Sequence, residues 1–423
     1  MNLRPAERLL LLLIGFGLLA AGCSSGEPED TDALIVFGNQ RGSDADALRH
    51  VLARFEDETG IKTRFTGSAS FPRAVRERAE EGNPPDVGLF PQPGLLEDLA
   101  DEGLVIPLRD DVTEAASNSL LPSLDGAFGS AGAANSVLFQ VHVKSLVWYS
   151  PAEFAARGYV IPTNWVELEE LSRRISADGL NPWCMGVSAF DATGWPATDW
   201  VEDIVLRADG PEVYDAWVAG DIAFTDDRIG SAIAEFGSLA LSAEAANGGR
   251  RGVLNTSPAR AQDPMFTSPP GCLMYKQASF QLPNLPSGVS VGEGEDVDVF
   301  VLPGMDTGPA PVVIGGTVAA AFTDSEETWA LMRFLSTAAA GEPWAEQGGF
   351  ISPRADFDPD AYGADFDRRM ASIVADADVV RFDGSDLMYS PVGTRSFFDA
   401  MVAYIATDRV DVAQQTAQGG YDR

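Results

Sequence analysis

The stretch that decides the fold is ALIVFGNQRGSDADALRHVLARFEDETGIKTRFT, residues 33–66. Its opening apolar run, 33–37, has no polar alternation and stops at a glycine, which is typical of a strand buried on both faces of a parallel sheet. Apolar residues then recur at helical spacing over 48–55, and residues 61–66 alternate like a second strand. This strand-helix-strand order predicts an α/β fold whose helices pack on a parallel sheet.

The same order continues beyond residue 66. A helix is predicted over 72–81, and a strand over 86–90 leads into the loop PQPG. In open α/β sheets, ligands bind at the carboxyl ends of the strands. The loops after Phe37, Phe65 and Phe90 are therefore expected to face one cleft.

Two long extended segments predict two lobes joined by hinge strands. A chain of 423 residues is too long for a single core, and we interpret residues 136–149 and 296–303 as the outward and return crossings. A further strand is predicted at 182–187, in the second lobe. The predicted division is a signal peptide at 1–22, a tether at 23–32, lobe 1 at 33–141 plus 303–340, and lobe 2 at 142–302 plus 341–423.

The N-terminus is typical of an export signal. Arg4 and Arg8 precede an apolar run over 9–21, which is too short for a permanent membrane span. The residues before Cys23 resemble a lipobox, with Ala20 where that motif usually has leucine. The resemblance implies that Cys23 is acylated after cleavage, so we expect the protein on the outer face of the cell membrane, anchored by this lipid. The alternative is an ordinary signal peptide with an unrelated cysteine.

Cysteine usage predicts a disulfide. If Cys23 carries a lipid, Cys184 and Cys272 are the two cysteines that remain, in a protein that faces an oxidising exterior. We expect a bond between them. Two buried free thiols are the alternative.

Charge and composition narrow the function. The formal net charge is −34, from 63 acidic and 29 basic residues, which disfavours nucleic acid and anionic lipid headgroups as partners and leaves a neutral sugar open. His50 and His142 are the only histidines in the sequence and are distant along it, so no metal site is expected. The sequence has no phosphate loop, nucleotide-binding glycine fingerprint or nucleophile elbow, and no cofactor is expected.

Carboxylates beside aromatic residues give the best argument for an enzyme. Glycosidases place two carboxylates across the scissile bond, and Asp199, Glu202 and Asp203 lie close to Trp195 and Trp200. Because the chain has 63 acidic residues, such a pattern arises easily by chance. We therefore favour a binding protein, and keep a secreted glycoside-active enzyme as the alternative.

Loops rich in aromatic and amide side chains indicate a sugar ligand. Sugar rings stack their C–H faces on aromatic rings, and their hydroxyl groups bond to Asp, Asn, Gln and Arg side chains. The most unusual of these loops is WPATDW, at 195–200. For aromatic residues outside this loop, burial in the core is the alternative.

Several segments resemble the extracellular solute-binding proteins of carbohydrate ABC transporters, whose best-known fold is that of maltose-binding protein. The matching segments are FEDETGIK at 55–62, PDVGLF at 85–90, VKSLVWY at 143–149 and GGT at 315–317. Within that family the chain is most similar to the α-glucoside-binding proteins. The segments that carry this similarity are NPWC at 181–184, ATGWPATDWVED at 192–203, PGC at 270–272 and SPVGT at 390–394.

The resemblance implies an α/β, two-lobed periplasmic-binding-protein fold of type II, in which each lobe is a mostly parallel sheet flanked by helices. The lobes would close over one sugar, and the closed complex would dock on the permease subunits of an ABC importer. A monomer without enzymatic activity is expected. The alternative ligands are a polyol, a different glycan or a glycerophosphodiester.

Loop position and the resemblance together imply three groups of ligand-binding residues. The aromatic residues expected to stack on the sugar are Trp148, Trp195, Trp200 and Tyr275. The polar residues expected to bind hydroxyl groups are Arg41, Gln92, Lys144, Asp199, Gln277 and Arg354. Gly315 and Gly316 are expected to allow a close approach of the backbone.

Overall fold

The computed structural model describes residues 33–128, 135–242 and 246–422. The predicted signal peptide, the tether and the acylation site Cys23 lie outside the described residues. Among the residues that are described, no helix is long and apolar enough to cross a membrane.

Strands and helices are interspersed along the chain. The strands are β1 Leu34–Gly38, β2 Thr63–Gly67, β3 Val87–Phe90, β4 Val137–Val143, β5 Leu146–Tyr149, β6 Met274–Lys276, β7 Asp298–Val301, β8 Val312–Ala321 and β9 Val380–Phe382. The helices are α1 Ser43–Thr59, α2 Phe71–Glu80, α3 Pro93–Asp101, α4 Asp110–Asn118, α5 Pro151–Arg157, α6 Trp165–Ala177, α7 Trp195–Asp209, α8 Pro211–Val218, α9 Asp227–Ala240, α10 Gly249–Asn255, α11 Glu326–Leu335, α12 Ala338–Ala345, α13 Asp365–Asp376, α14 Gly384–Leu387, α15 Phe397–Thr407 and α16 Val410–Gln418.

A six-stranded sheet follows the predicted strand-helix-strand order. Its strands lie in the order β2-β1-β3-β8-β4, with β9 beside β8. Strand β1 is parallel to β2 and β3, whereas β8 runs antiparallel to β3 and β4. Val36 packs in the core beneath α1, and Phe37 packs in the core on the opposite face. The continuous apolar run of β1 is explained by this burial on both faces.

A second, smaller sheet differs from the expectation of a mostly parallel one. Its three strands lie in the order β6-β5-β7, and both pairings are antiparallel. Strand β5 follows β4 after only two residues, and its partners β6 and β7 come from distant parts of the chain. The strand predicted at 182–187 does not form. Trp183 makes only isolated bridges, to Ala246 and to Met274.

Three chain segments cross between the two sheets, where the sequence predicted two. The first is Lys144–Ser145, between β4 and β5, and the second is 302–311, between β7 and β8. The third is 383–391, because β9 pairs with β8 in the six-stranded sheet, whereas Val392 and α15 pack in the core of the three-stranded sheet.

The third crossing does not fit the assignment of all of residues 341–382 to the second lobe. Phe350 packs against Phe139 of β4, with ring centroids 5.3 Å apart, and β9 is part of the six-stranded sheet. Helical periodicity predicts a helix but not the sheet on which it packs, so the sequence alone did not separate these residues from the last two helices.

Cys184 and Cys272 form a disulfide, which confirms the predicted pair. The bond joins residues 88 positions apart in the chain. It lies beside the three-stranded sheet, where the Cys184 N–H donates to the carbonyl oxygen of Met274 at 2.7 Å.

Candidate functional site

Helix α7 carries a buried polar face along its whole length. Gly194 precedes it with φ 116°, where a side chain would collide with the carbonyl oxygen of Phe398. Asp199, Asp203 and Arg207 recur every four residues and therefore lie on one side of the helix. All three are buried, as is Glu202. Several buried ionisable groups on one helix are stable only when they are paired, so the groups that pair with them indicate what the helix does.

The first crossing binds to the N-terminal half of this face. Lys144 is 7% exposed, and its Nζ lies 3.3 Å from Asp199 Oδ1 and 3.6 Å from Asp386 Oδ2. It also forms an ion pair with Asp383. A Cβ on Gly315 would lie 2.9 Å from Lys144 Cε, so the absence of a side chain at this position leaves room for the lysine.

The same face holds the other two crossings. Arg207 donates to the carbonyl oxygens of Leu302 at 2.9 Å, Pro303 at 3.0 Å and Pro311 at 2.9 Å, which fixes the second crossing. Glu202 accepts from the Gly384 N–H at 2.8 Å, which fixes the third.

Ser145 and Lys276 complete this arrangement at Asp203. The Ser145 hydroxyl donates to Asp203 at 2.6 Å and accepts from the Val313 N–H at 2.8 Å. Lys276 Nζ lies 2.8 Å from Asp203 Oδ2. One helix face thus contacts all three crossings in the described part of the chain.

The protonation of the cluster limits its charge. Burial raises the pKa of Asp199 to about 7, and burial together with Asp383 raises the pKa of Asp386 to about 8. Burial also raises the pKa of Glu202 well above its usual value. For Asp383, burial is outweighed by the Lys144 ammonium, and its pKa is lowered. Several of these carboxyl groups therefore hold a proton at neutral pH, so the cluster carries less negative charge than its composition suggests.

The carboxylates of Asp199, Glu202 and Asp383 lie close enough together to hold a cation, with oxygens within 4.8 Å of one another. The Lys144 ammonium already contacts two of the three. The geometry is therefore that of an ion-pair cluster around Lys144, at the crossings between the two sheets.

A partly exposed aromatic surface adjoins the cluster. The ring centroids of Trp195 and Phe280 are 5.9 Å apart, and Phe280 meets His142 edge-on at 5.4 Å. Lys144 Nζ lies 5.7 Å from the Trp195 ring centroid. Burial, and then the charge of Lys144, lower the pKa of His142 to about 4, so His142 is neutral at physiological pH. This surface offers flat apolar faces beside polar groups.

The match to a family model decides the family. The model of the bacterial extracellular solute-binding proteins matches residues 41–342, well over half of the chain. The chain belongs to this family.

Two relatives of this solute-binding protein match over nearly its whole length. The osmoprotective compounds-binding protein GgtB of Synechocystis sp. (strain ATCC 27184 / PCC 6803 / Kazusa) is 37% identical over 385 residues, which cover 89% of each chain. The α-glucosides-binding periplasmic protein AglE of Rhizobium meliloti (strain 1021) is 37% identical over 383 residues, 88% of this chain and 83% of AglE.

Solved structures share the fold. The solute receptor AcbH, described as preferring β-D-galactopyranose exclusively, matches with a TM-score of 0.76 at 16% identity, over 92% of this chain and 97% of AcbH. This solute-binding protein therefore has the predicted α/β, two-lobed type II fold. Its family and both relatives are solute-binding proteins rather than enzymes.

Three of the aromatic residues expected to stack on a sugar lie in the core. Trp148, Trp200 and Tyr275 are 1%, 3% and 2% exposed. Trp148 stacks on Phe366 with centroids 5.3 Å apart, and the Tyr275 hydroxyl donates to the carbonyl oxygen of Pro258 at 2.6 Å. Core packing, the alternative to stacking on a ligand, accounts for all three. Trp195 alone among the four is partly exposed.

The predicted polar residues separate in a similar way. Both ends of the Gln277 amide have partners, since its nitrogen donates to the Tyr275 hydroxyl at 3.0 Å and its oxygen accepts from the Ala278 N–H at 2.8 Å. Arg354 donates to the carbonyl oxygens of Ala116 and Leu138, away from α7.

The remaining three predicted residues have different surroundings. Arg41 is exposed. Gln92 lies near Asp386 of the third crossing, where its amide acts to lower the pKa of that carboxyl group. A side chain on Gly316 would collide with the carbonyl oxygen of Gln140, so this glycine permits close packing of β4 on β8.

Sequence reasoning missed Phe280, Asp383 and Asp386, together with the role of His142 as part of the aromatic surface. A signal existed for Asp383, whose side chain caps α14 by accepting from the Asp386 N–H at 2.8 Å. An aspartate that lies three residues before a second acidic residue, at the start of a helix, is a recognisable capping pattern. For Phe280 the sequence carries no comparable signal.

Proposed function

We propose that this solute-binding protein captures a neutral sugar between its two lobes, an α-glucoside of two or a few units, and delivers it to the permease of an ABC importer. The observation that carries the proposal is the partly exposed pair of Trp195 and Phe280 beside the polar cluster of Lys144 and Asp386. Flat apolar faces next to hydrogen-bonding groups are what a sugar ring requires.

The position of the site supports lobe closure. Trp195 is the first residue of α7, and the same helix binds all three crossings through Asp199, Glu202 and Arg207. A solute that contacts Trp195 would therefore act on the helix to which every hinge segment is attached, and a solute that prefers the closed arrangement shifts the population toward it.

The α-glucoside assignment rests on the similarity to AglE, and GgtB supports a second candidate ligand, a small osmoprotective compound. Both kinds of solute fit a site whose charges are already paired. An anionic phosphodiester fits less well, because Lys144 faces three carboxyl groups rather than open space. We further propose that the protein is anchored outside the cell membrane by a lipid on Cys23.

A thermal-shift screen tests the ligand class. The purified protein is heated with maltose, trehalose, sucrose, longer α-glucosides, glucosylglycerol, polyols and a glycerophosphodiester. A solute that binds only the folded state raises the unfolding temperature. We expect a rise with one neutral glycoside, which is recovered unchanged. A rise with the phosphodiester alone would contradict the proposal.

Substitution of Trp195 tests the surface itself. Loss of a tryptophan at the centre of a binding site costs about 2 kcal/mol, roughly 30-fold in affinity. Trp195→Ala is therefore expected to weaken binding to about this extent. The matched control is Phe190→Ala, since Phe190 is fully exposed five residues earlier and its removal should leave affinity unchanged. Equal affinity in both variants would show that the solute binds elsewhere.

A further inference from the structure

An apolar cavity of about 80 Å³ lies between helix α4 and the six-stranded sheet. We call it the α4 cavity, and its walls include Leu108, Ala116, Leu120, Leu138, Val318 and Arg354. Leu138 and Val318 are paired residues of β4 and β8, so the sheet forms one wall. One water molecule needs about 10–15 Å³ on this measure, so the cavity has room for roughly five to eight non-hydrogen atoms. Apolar space that stays unfilled destabilises a fold, and a small ligand can occupy it.

Arg354 places a buried positive charge in this cavity. It is 4% exposed, and burial lowers its pKa only to about 10, so it is charged at neutral pH. Among the described residues no carboxylate forms an ion pair with it, and Asp356, the acidic residue that acts on its pKa, is exposed. A buried charge without an ionic partner is unfavourable. The cavity therefore favours an anion at this point.

The contacts of Arg354 leave it free to bind more. It donates to the carbonyl oxygens of Ala116 and Leu138, and Ala116 lies in the last turn of α4, whose dipole compensates the positive charge only in part. A guanidinium carries five N–H groups. Two bonds to carbonyl oxygens thus leave donors for a ligand.

The mouth of the cavity is formed by α4. Thr113 and Ser117 line the cavity and are exposed, so a ligand can enter between them. Their hydroxyl groups already donate to the carbonyl oxygens of Arg109 at 3.2 Å and Thr113 at 2.8 Å. Arg354 is the charged group among the residues that line the cavity, and it therefore sets the charge of the ligand.

A ligand that fits is anionic at one end and apolar elsewhere. Arginine binds carboxylates through two parallel hydrogen bonds, whereas a sulfate or phosphate ion would lose its hydration against apolar walls. We infer that the α4 cavity binds a small carboxylate with a short aliphatic tail, which pairs with Arg354 and packs against Leu120 and Leu138. This site lies apart from the cluster on α7 and goes beyond the proposed function.

Titration with short carboxylates tests the site. The purified protein is titrated with propionate, butyrate and valerate, with butyramide as the uncharged analogue of butyrate, and with sulfate, all at one ionic strength. Butyrate is expected to raise the unfolding temperature. It should also bind at least about tenfold more tightly than butyramide or sulfate, which corresponds to one hydrogen bond to a charged group. Equal binding of butyrate and butyramide, or no binding of any carboxylate, overturns the inference.

Two kinds of variant locate the ligand. Arg354→Met removes the charge and is expected to bind butyrate at least about tenfold more weakly, while Arg354→Lys keeps the charge and should lose less. Because Arg354 also bonds two carbonyl oxygens, Ser117→Leu provides a second test that leaves it in place and obstructs the mouth. Asn118→Leu is the matched control, since Asn118 is the next residue of α4 and does not line the cavity. Equal butyrate affinity in Ser117→Leu and Asn118→Leu contradicts the location.

A competition experiment separates this site from the proposed solute site. Saturating butyrate should leave the affinity unchanged for the tightest binder among maltose, trehalose, sucrose and glucosylglycerol. Mutual displacement would place butyrate in the solute site and overturn the inference. A wild type that binds butyrate in the α4 cavity but none of the four neutral solutes overturns the proposed function alone.

Discussion

The two sheets of this solute-binding protein are held together by different means. In the six-stranded sheet every residue of the ten-residue strand β8 is buried, and aromatic residues pack on both faces. The three-stranded sheet has strands of only three or four residues. A disulfide and a buried ion-pair cluster on α7 lie beside it. Both sheets pack on large apolar cores, but the shorter strands of the smaller sheet are reinforced by these specific links as well.

Breaking the covalent link should have the largest effect. A disulfide between residues 88 positions apart restricts the unfolded chain by roughly 4–5 kcal/mol in the chain-entropy model. The double variant Cys184→Ala/Cys272→Ala is expected to lose about this much unfolding free energy in urea titration. Reduction of the wild type should reproduce the loss, and the same reductant should leave the variant unchanged. If the variant unfolds at the wild-type urea concentration, the smaller sheet is self-supporting.

The buried ion pair of α7 should have the next largest effect. Arg207 is fully enclosed, pairs with Asp203 and donates to backbone carbonyl oxygens of the second crossing. Removing one partner of such a pair leaves an uncompensated buried charge and costs about 3–5 kcal/mol. Arg207→Met is therefore expected to lower the unfolding free energy by that amount.

An exposed arginine of the same lobe is the control for this variant. Arg228 pairs with Asp226 at 2.8 Å, with 41% and 30% of the side chains exposed. Because surface pairs contribute about 0–1 kcal/mol, Arg228→Met should change stability little. Equal losses in the two variants would refute the importance of the buried face of α7.

A buried arginine of the larger sheet offers the complementary test. Arg354 donates to the carbonyl oxygens of Ala116 and Leu138, and Arg354→Met leaves both without their donor. The expected cost is about 2 kcal/mol, measured in the same urea titration, because the apolar core around it remains intact. Affinity for the solute should not change. A loss of affinity without a loss of stability would instead support the ligand-binding role that the sequence predicted for Arg354.

The same contrast explains what the sequence could predict. The unit from β1 to β2 was predictable because a strand buried on both faces must be continuously apolar and a packed helix must repeat its apolar residues, as Leu48 and Phe55 do. The three-stranded sheet was not, since its strands are short and pair across long stretches of chain. Strand β9 has three residues and joins β8 from nearly sixty residues away, which no local pattern indicates.

The site was predictable only in part, for a related reason. Trp195 and Asp199 were selected for the unusual composition of their loop. Asp199 lies in the cluster and Trp195 lies beside it, and contact of either residue with a solute stays a prediction. Trp148 and Tyr275 have the same chemistry, but whether an aromatic ring faces a ligand or a core depends on tertiary partners such as Phe366. The four-residue spacing of Asp199, Asp203 and Arg207 is present in the sequence, but spacing alone does not indicate that this helix face is buried.

The smallest expected effect concerns the proton on Asp386, a residue of the third crossing between the two sheets. Burial, and then the neighbouring Asp383, raise its pKa to about 8 from an ordinary value of 3.8, although Lys144 acts in the opposite direction. Between these values the folded protein holds a proton that the unfolded chain has lost. The unfolding free energy therefore falls as pH rises toward 8, by on the order of 1 kcal/mol for each pH unit, or about 2 °C in the unfolding temperature.

Asp386→Asn isolates this contribution, because an amide does not titrate. Unfolding temperatures of the solute-free protein at pH 6, 7.5 and 9 are expected to fall more steeply for the wild type than for Asp386→Asn. Asp226→Asn serves as the control, since the hydrogen bonds from Arg228 lower the pKa of Asp226 to about 2 and its contribution is constant over this range. The wild type and Asp226→Asn should therefore run parallel. Parallel curves for Asp386→Asn as well would mean that Lys144 keeps Asp386 ionised in the folded protein.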